Sequence, residues 1–144
     1  MATGLTARSQ TTRPPIHQDF TDQDLRDKDF SGRDMSGADF TRARLVGAKL
    51  MRCTLKNAIF IEADLSHADL SEADATGGDF TCAILTDTKF VKANLTAACM
   101  MQAEVYGADM TGAVTKGAHL GVRHVAPAIE TLVREGLIDP LGYA

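Results

Sequence analysis

Three cysteines, four histidines and a long series of aspartates are the residues of this 144-residue chain with the most chemical potential. Spacing argues against most of the chemistry. Cys53, Cys82 and Cys99 form no CxxC pair, and His67, His119 and His124 have no partner at a metal-ligating interval, so neither a metal nor any other cofactor is expected. No nucleophile–base pair and no phosphate-cradling glycine loop stands out, so the chain does not read as an enzyme. The aspartates remain. Asp19, Asp24, Asp29, Asp34, Asp39, Asp64, Asp69, Asp74, Asp79 and Asp109, with Asn94 as a near-equivalent, are all separated by multiples of five. Carboxylates at fixed intervals on one surface could attract a basic groove, which is electrostatics and not catalysis. What they do depends on the element that holds them.

That element is written in the apolar residues. Of the 21 positions at every fifth residue from Phe20 to Leu120, 15 are Leu or Phe, three are Met and one is Val; only Ala75 and Thr115 depart. All six Phe fall on these positions. Two residues before each is usually Ala, as at Ala38, Ala43, Ala48 and Ala58, and one before is usually Asp. One after is Ser or Thr in 11 of the 21 units, and two after is often Gly, as at Gly32, Gly47 and Gly77.

A helix turns about 100° per residue, so a five-residue step smears apolar side chains around it. A flat strand sends successive fifth residues to opposite faces. The pattern works if each unit is one side of a coil and the chain turns a corner before the next. The central residue then points inward, as does the small residue two before it, where a corner leaves little room. Gly near the corner suits positive φ. Phe spacing counts the sides. With four, Phe20, Phe40, Phe60 and Phe80 stack in one column with Met100 and Leu120, and Phe30 and Phe90 share a second; with three, the Phe scatter. Residues 18–122 thus predict an all-β, four-sided parallel β-helix, a solenoid of about five coils of twenty residues. Ala75 and Thr115 share one column and are its expected thin spots.

The unit Ala-Asp-Leu/Phe-Ser/Thr-x, unbroken over residues 18–122, resembles the pentapeptide-repeat family. The resemblance implies a right-handed, four-sided β-helix and, in many members, a homodimer formed through a C-terminal helical cap. It also implies that some bacterial members imitate duplex DNA and bind DNA gyrase, while many have no assigned activity. This chain departs from the family's pattern in its first coil, where Gln18, Gln23, Lys28 and Arg33 replace Ala. These polar side chains are expected to mark the open end of the rod. No loop interrupts the units, whereas several gyrase-protecting relatives carry one.

Composition sets further bounds. Net charge is −4 and the sequence pI about 5.5, which excludes a general nucleic-acid binder. No apolar run is long enough to span a membrane. Residues 1–17 lack the apolar stretch of a signal peptide and read as a flexible tail, so a cytoplasmic location is expected. Past Gly121 the period stops, and residues 123–144 read as a cap. Pro127 and Gly136 bracket a short α-helix whose apolar face holds Ile129, Leu132 and Val133, extended by Leu137 and Ile138. These five are the candidate cap or dimer contacts. Cys53 takes an inward corner position as a small core residue; Cys82 and Cys99 fall on one face as free thiols.

Sorting by column yields a charge map. One face carries Asp19, Asp22, Asp39, Glu62 and Asp79 against Arg42, and the next carries Asp24, Asp27, Asp64, Asp87 and Glu104 against Arg26 and Arg44. Together these two faces hold −7, and the other two hold +2. Asp19, Asp22, Asp39, Glu62, Asp64, Asp79, Asp87 and Glu104 are the candidate acidic surface. Ile59, Ile61 and Met101, near Cys99, are a candidate apolar contact patch. The expected function is a non-catalytic rod that binds a protein partner. The alternative is a DNA mimic that modulates gyrase or another topoisomerase, and a third reading stacks rods end to end through Lys28 and Arg33.

Overall fold

The computed structural model describes residues 18–121. Within them each five-residue unit is closed by its own hydrogen bond. With the central apolar residue as position 0, the N–H three residues on donates back to its carbonyl, as from Gln23 to Phe20 at 3.0 Å and from Ala43 to Phe40 at 2.9 Å. Position +2 has positive φ at every corner, 57–62° where the residue is not glycine and 70–77° where it is. A four-residue turn with this bond and positive φ only at its third residue is a type II turn.

Four such corners return the chain to its starting side. Position −1 of each unit then forms a parallel bridge to the residue twenty further on, from Asp19 with Asp39 through Cys99 with His119. The coils run 18–37, 38–57, 58–77, 78–97 and 98–117, and a sixth begins at 118. Their four faces are named here by the central residues of the first coil: Phe20, Leu25, Phe30 and Met35.

Backbone pairing leaves one N–H per unit without a backbone partner. Position −1 donates to the preceding coil (Asp39 to Gln18, 2.8 Å), while positions 0 and +2 donate to the following one (Phe40 to Ile59, 2.6 Å; Arg42 to Ile61, 2.9 Å). Position −2 closes the turn. Position +1 is left over, and in the units with Asp or Asn at −1 its partner comes from a side chain.

Inside, the columns stack as the Phe spacing predicts. Phe20, Phe40, Phe60 and Phe80 lie ring on ring at 4.9, 4.8 and 4.8 Å, with interplanar angles of 8°, 3° and 2°. Phe30 and Phe90 meet this stack edge-on. The inward Ala are buried throughout, and so are Ala75 and Thr115. Two polar residues also occupy the corner position. Cys53 Sγ donates to Phe30 O at 3.0 Å, and Thr88 Oγ1 donates to Leu65 O at 2.8 Å. Among the described residues no buried side-chain nitrogen or oxygen lacks a partner.

The first coil keeps its regular bridges, so its four polar corner residues do not splay it. Gln18, Gln23, Lys28 and Arg33 are exposed, and the Arg33 guanidinium lies 5.6 Å from the Phe30 ring centroid. Phe20 is half-buried at this open end. The expected tail over 1–17 and the expected cap over 123–144, with Ile129, Leu132, Val133, Leu137 and Ile138, lie outside the described residues.

Candidate functional site

Aspartate at position −1 supplies the missing partner. In all eleven units with Asp or Asn there, Oδ1 accepts the N–H of position +1, at 2.9–3.3 Å. This is an Asx turn laid across the central residue. In seven of these units the hydroxyl at +1 donates to the same oxygen, at 2.5–2.8 Å. Sequence reasoning saw both residue types and missed that they form a pair. The signal was present: ten of the eleven Asp or Asn units have Ser or Thr at +1, and Arg26 is the exception. Among the units that lack Asp or Asn, Thr86 alone keeps a hydroxyl there.

The candidate acidic surface divides accordingly. Asp19, Asp39, Asp64 and Asp79 each commit one oxygen to a turn. Asp22 is paired with Arg42 at 2.8 Å, and Asp87 stands 3.9 Å from His67. Glu62 is exposed and Glu104 half-buried. By the bridge register, Asp19, Asp39 and Asp79 stand in one column on the Phe20 face, and Asp64 bridges between Arg44 and Ile84 on the Leu25 face.

Several carboxyls are held below the ordinary carboxylate range. Asp24 is lowered to about 2, chiefly by the Arg26 guanidinium bonded to it at 2.6 and 2.8 Å. The Arg42 guanidinium does the same for Asp22 in direction. Hydroxyl donation from Ser36, Thr76 and Thr111 leads for Asp34, Asp74 and Asp109, and the Ser31 N–H leads for Asp29. Burial pushes the Cys53 thiol up.

The apolar patch sits where the Asx pair is absent. On the Phe20 face, Ile59 and Ile61 replace it in the third coil, and Cys99 and Met101 in the fifth. The two Ile and Cys99 are half-buried, while Met101 is 45% exposed. Tyr106 and Val114, at 58% and 49%, are the other large apolar side chains exposed among the described residues. All three belong to the fifth coil. Cys82 and Cys99 are free thiols; Cys99 Sγ is 3.3 Å from Thr81 Oγ1. Among the described residues no His, Cys, Asp and Glu group is placed to hold a metal ion, and no helix is long and apolar enough to cross a membrane.

The chain belongs to the pentapeptide repeat family: the family model, "Pentapeptide repeats (8 copies)", matches over residues 19–50, 48–87 and 79–117. Its fold is the family's right-handed, four-sided β-helix, and the family is generally non-catalytic. HetL of the cyanobacterium Nostoc, described as involved in heterocyst differentiation regulation, is 28% identical with a TM-score of 0.72, over 81% of this chain and 49% of its own. The chain therefore spans about half the length of HetL. A pentapeptide repeat protein of the Arabidopsis thaliana thylakoid lumen is 35% identical with a TM-score of 0.60, over 80% and 77%. QnrB1, a plasmid-mediated fluoroquinolone resistance protein, is 22% identical with a TM-score of 0.35, and at that level nothing follows for this chain's partner. No curated protein matches the sequence.

Proposed function

We propose that this protein is a non-catalytic interaction rod, acting in the cytoplasm, that meets a protein partner through its fifth coil and the adjoining Phe20 face. The observation that carries this reading is the concentration of exposed Met101, Tyr106 and Val114 in one coil, at 45%, 58% and 49%. Every other described coil keeps its large apolar side chains buried or half-buried. A helical cap over 123–144 that pairs two rods belongs to the same reading, because it would meet the rod at this end. A photo-crosslinking residue at position 101 tests the idea in cells, with position 36 on another face and another coil as reference. One discrete adduct from position 101, absent from position 36 and weakened by Val114→Glu, supports the contact. The same adducts from both positions, or none, would sink it.

The −7 carried by the Phe20 and Leu25 faces favours a second reading, a DNA mimic acting on gyrase or another topoisomerase. The Asx turns permit a clean test. Asn94 already holds its turn with a carboxamide, accepting from Thr96 N at 3.0 Å and from Thr96 Oγ1 at 2.6 Å. Asp39→Asn, Asp64→Asn and Asp79→Asn, with Glu62→Gln, should therefore remove charge and keep the fold. A mimic inhibits gyrase supercoiling at low salt, less at high salt, and loses the effect in this variant. Inhibition unchanged by the four substitutions would exclude it.

A further inference from the structure

The Phe30 face alternates in charge, coil by coil. Its outward column at position −1 reads Asp29, Lys49, Asp69, Lys89, Asp109, and the corner column at +2 reads Gly32, Arg52, Glu72, Lys92, Gly112. Parallel bridges place each member of the first column directly beside the next. Arg52 and Glu72 approach to 3.6 Å. In these two columns the second and fourth coils thus carry two positive charges each, the third two negative, and the first and fifth one negative. Between these columns the +1 position alternates too: Ser31, Met51, Ser71, Val91, Thr111. The Asx turns account for Ser and Thr on the Asp coils. Nothing within the chain requires Met and Val on the Lys coils, and both are partly exposed.

A surface striped in this way is complementary to itself after a shift of one stripe. We propose that the Phe30 face binds a second copy of this chain, antiparallel and offset by one coil, about a two-fold axis that lies between the third and fourth coils and runs across the rods. This face differs from the three that carry Met101, Tyr106 and Val114 in the contact proposed above.

Charge selects the geometry. A two-fold axis along the rods would set every coil against its own kind, and so would an antiparallel pair centred on the third coil. Either places Asp69 and Glu72 against the same carboxylates of the other copy. With the axis between the third and fourth coils, position −1 still faces position −1. Asp69 then meets Lys89 of the second copy, Glu72 meets Lys92, and Lys49 meets Asp109. Met51 fits over Thr111 and Val91 over Ser71, so large side chains lie opposite small ones. The mirror choice, with the axis between the second and third coils, is disfavoured by exposed Lys28, which cancels the charge of Asp29 in the first coil.

The overlap is four coils of one narrow face. At about 4.8 Å per coil it is shorter than about 20 Å, well below the extent of a standard interface. Association is therefore weak, seen at high protein concentration, and sensitive to salt because its charges are exposed.

Zero-length cross-linking reads the register. In full-length chains carrying Cys82→Ser and Cys99→Ser, Ser71→Cys is placed in one preparation and Val91→Cys in another. Mild oxidation should link an equimolar mixture several-fold faster than either preparation alone, and salt should abolish the difference. Glu72→Lys in sedimentation velocity provides an independent readout. It spares the Asp69 turn and should shift the wild-type dimer to monomer. Faster linking of Ser71→Cys alone would overturn the proposal. So would a mixture no faster than its components, or a dimer unaffected by both salt and Glu72→Lys.

Discussion

At Asp79 one carboxylate oxygen accepts both the N–H and the hydroxyl of Thr81, at 3.0 and 2.5 Å. The charge on that carboxylate is incidental to the geometry, since Asn94 makes the same two bonds. Asp79→Asn should leave stability nearly unchanged, while Asp79→Ala should lose about 1 kcal/mol, the usual net worth of such a bond. Urea denaturation midpoints of the two variants check this. Equal loss in both would mean that charge, and not the turn, is what the fold uses there. The turn-forming carboxylates on this rod are thus structural first, and a role as an acidic surface would be secondary to the turn.

The corner is the element that makes a coil out of a strand, and it strains whichever residue sits at +2. Glycine relieves that strain, but at Gly77 it also makes room: the Asn57 carboxamide of the preceding coil lies where a Cβ would be. Asp27 over Gly47 and Asp87 over Gly107 repeat the arrangement. Gly32, with φ +77° and open space around it, has only the conformational reason. Gly32→Ala should lose about 1 kcal/mol and Gly77→Ala roughly 2 kcal/mol. The excess should vanish when Asn57→Gly is added, which a double-mutant cycle on thermal or urea unfolding measures. The four-sided coil was legible from Phe20, Phe40, Phe60 and Phe80 because that inward column repeats one residue type over four coils. The Asx pair was not, because it joins two outward columns that each look merely polar. Thr88 was hidden for a similar reason: its burial depends on Leu65 O, a carbonyl 23 residues earlier that no local pattern reveals.

For the whole molecule, acid is the informative perturbation. Asp22, Asp24, Asp29, Asp34, Asp74 and Asp109 have folded pKa values below those of the free side chain. A depressed pKa contributes stability that is complete above the unfolded value, about 4, and disappears as pH falls through the folded value. Unfolding midpoints should be flat from neutral pH to about pH 5, then fall from roughly pH 4 toward pH 2. Solvent screening keeps each contribution small, so the decline should be gradual. A midpoint that rises on acidification over that range would contradict the paired carboxylates. Four of the six lie in the first coil, and every coil bonds only to its neighbours, so the loss should begin at that end of the rod and pass from coil to coil.

The corner at every fifth residue has one more consequence, which concerns heredity more than stability. Four corners make a coil, so the gene is read in a quarter-turn frame. A duplication of twenty codons would push later residues one step along the axis and leave each on its own side. A duplication of five would turn everything downstream by a right angle. Placed after Asn57, it would carry Ile59 and Ile61 to the neighbouring side and break the Phe60 ring away from Phe40. Such a rod can grow or shrink by whole circuits without scrambling its sides, and any other change of length in units of five redraws every surface beyond the insertion.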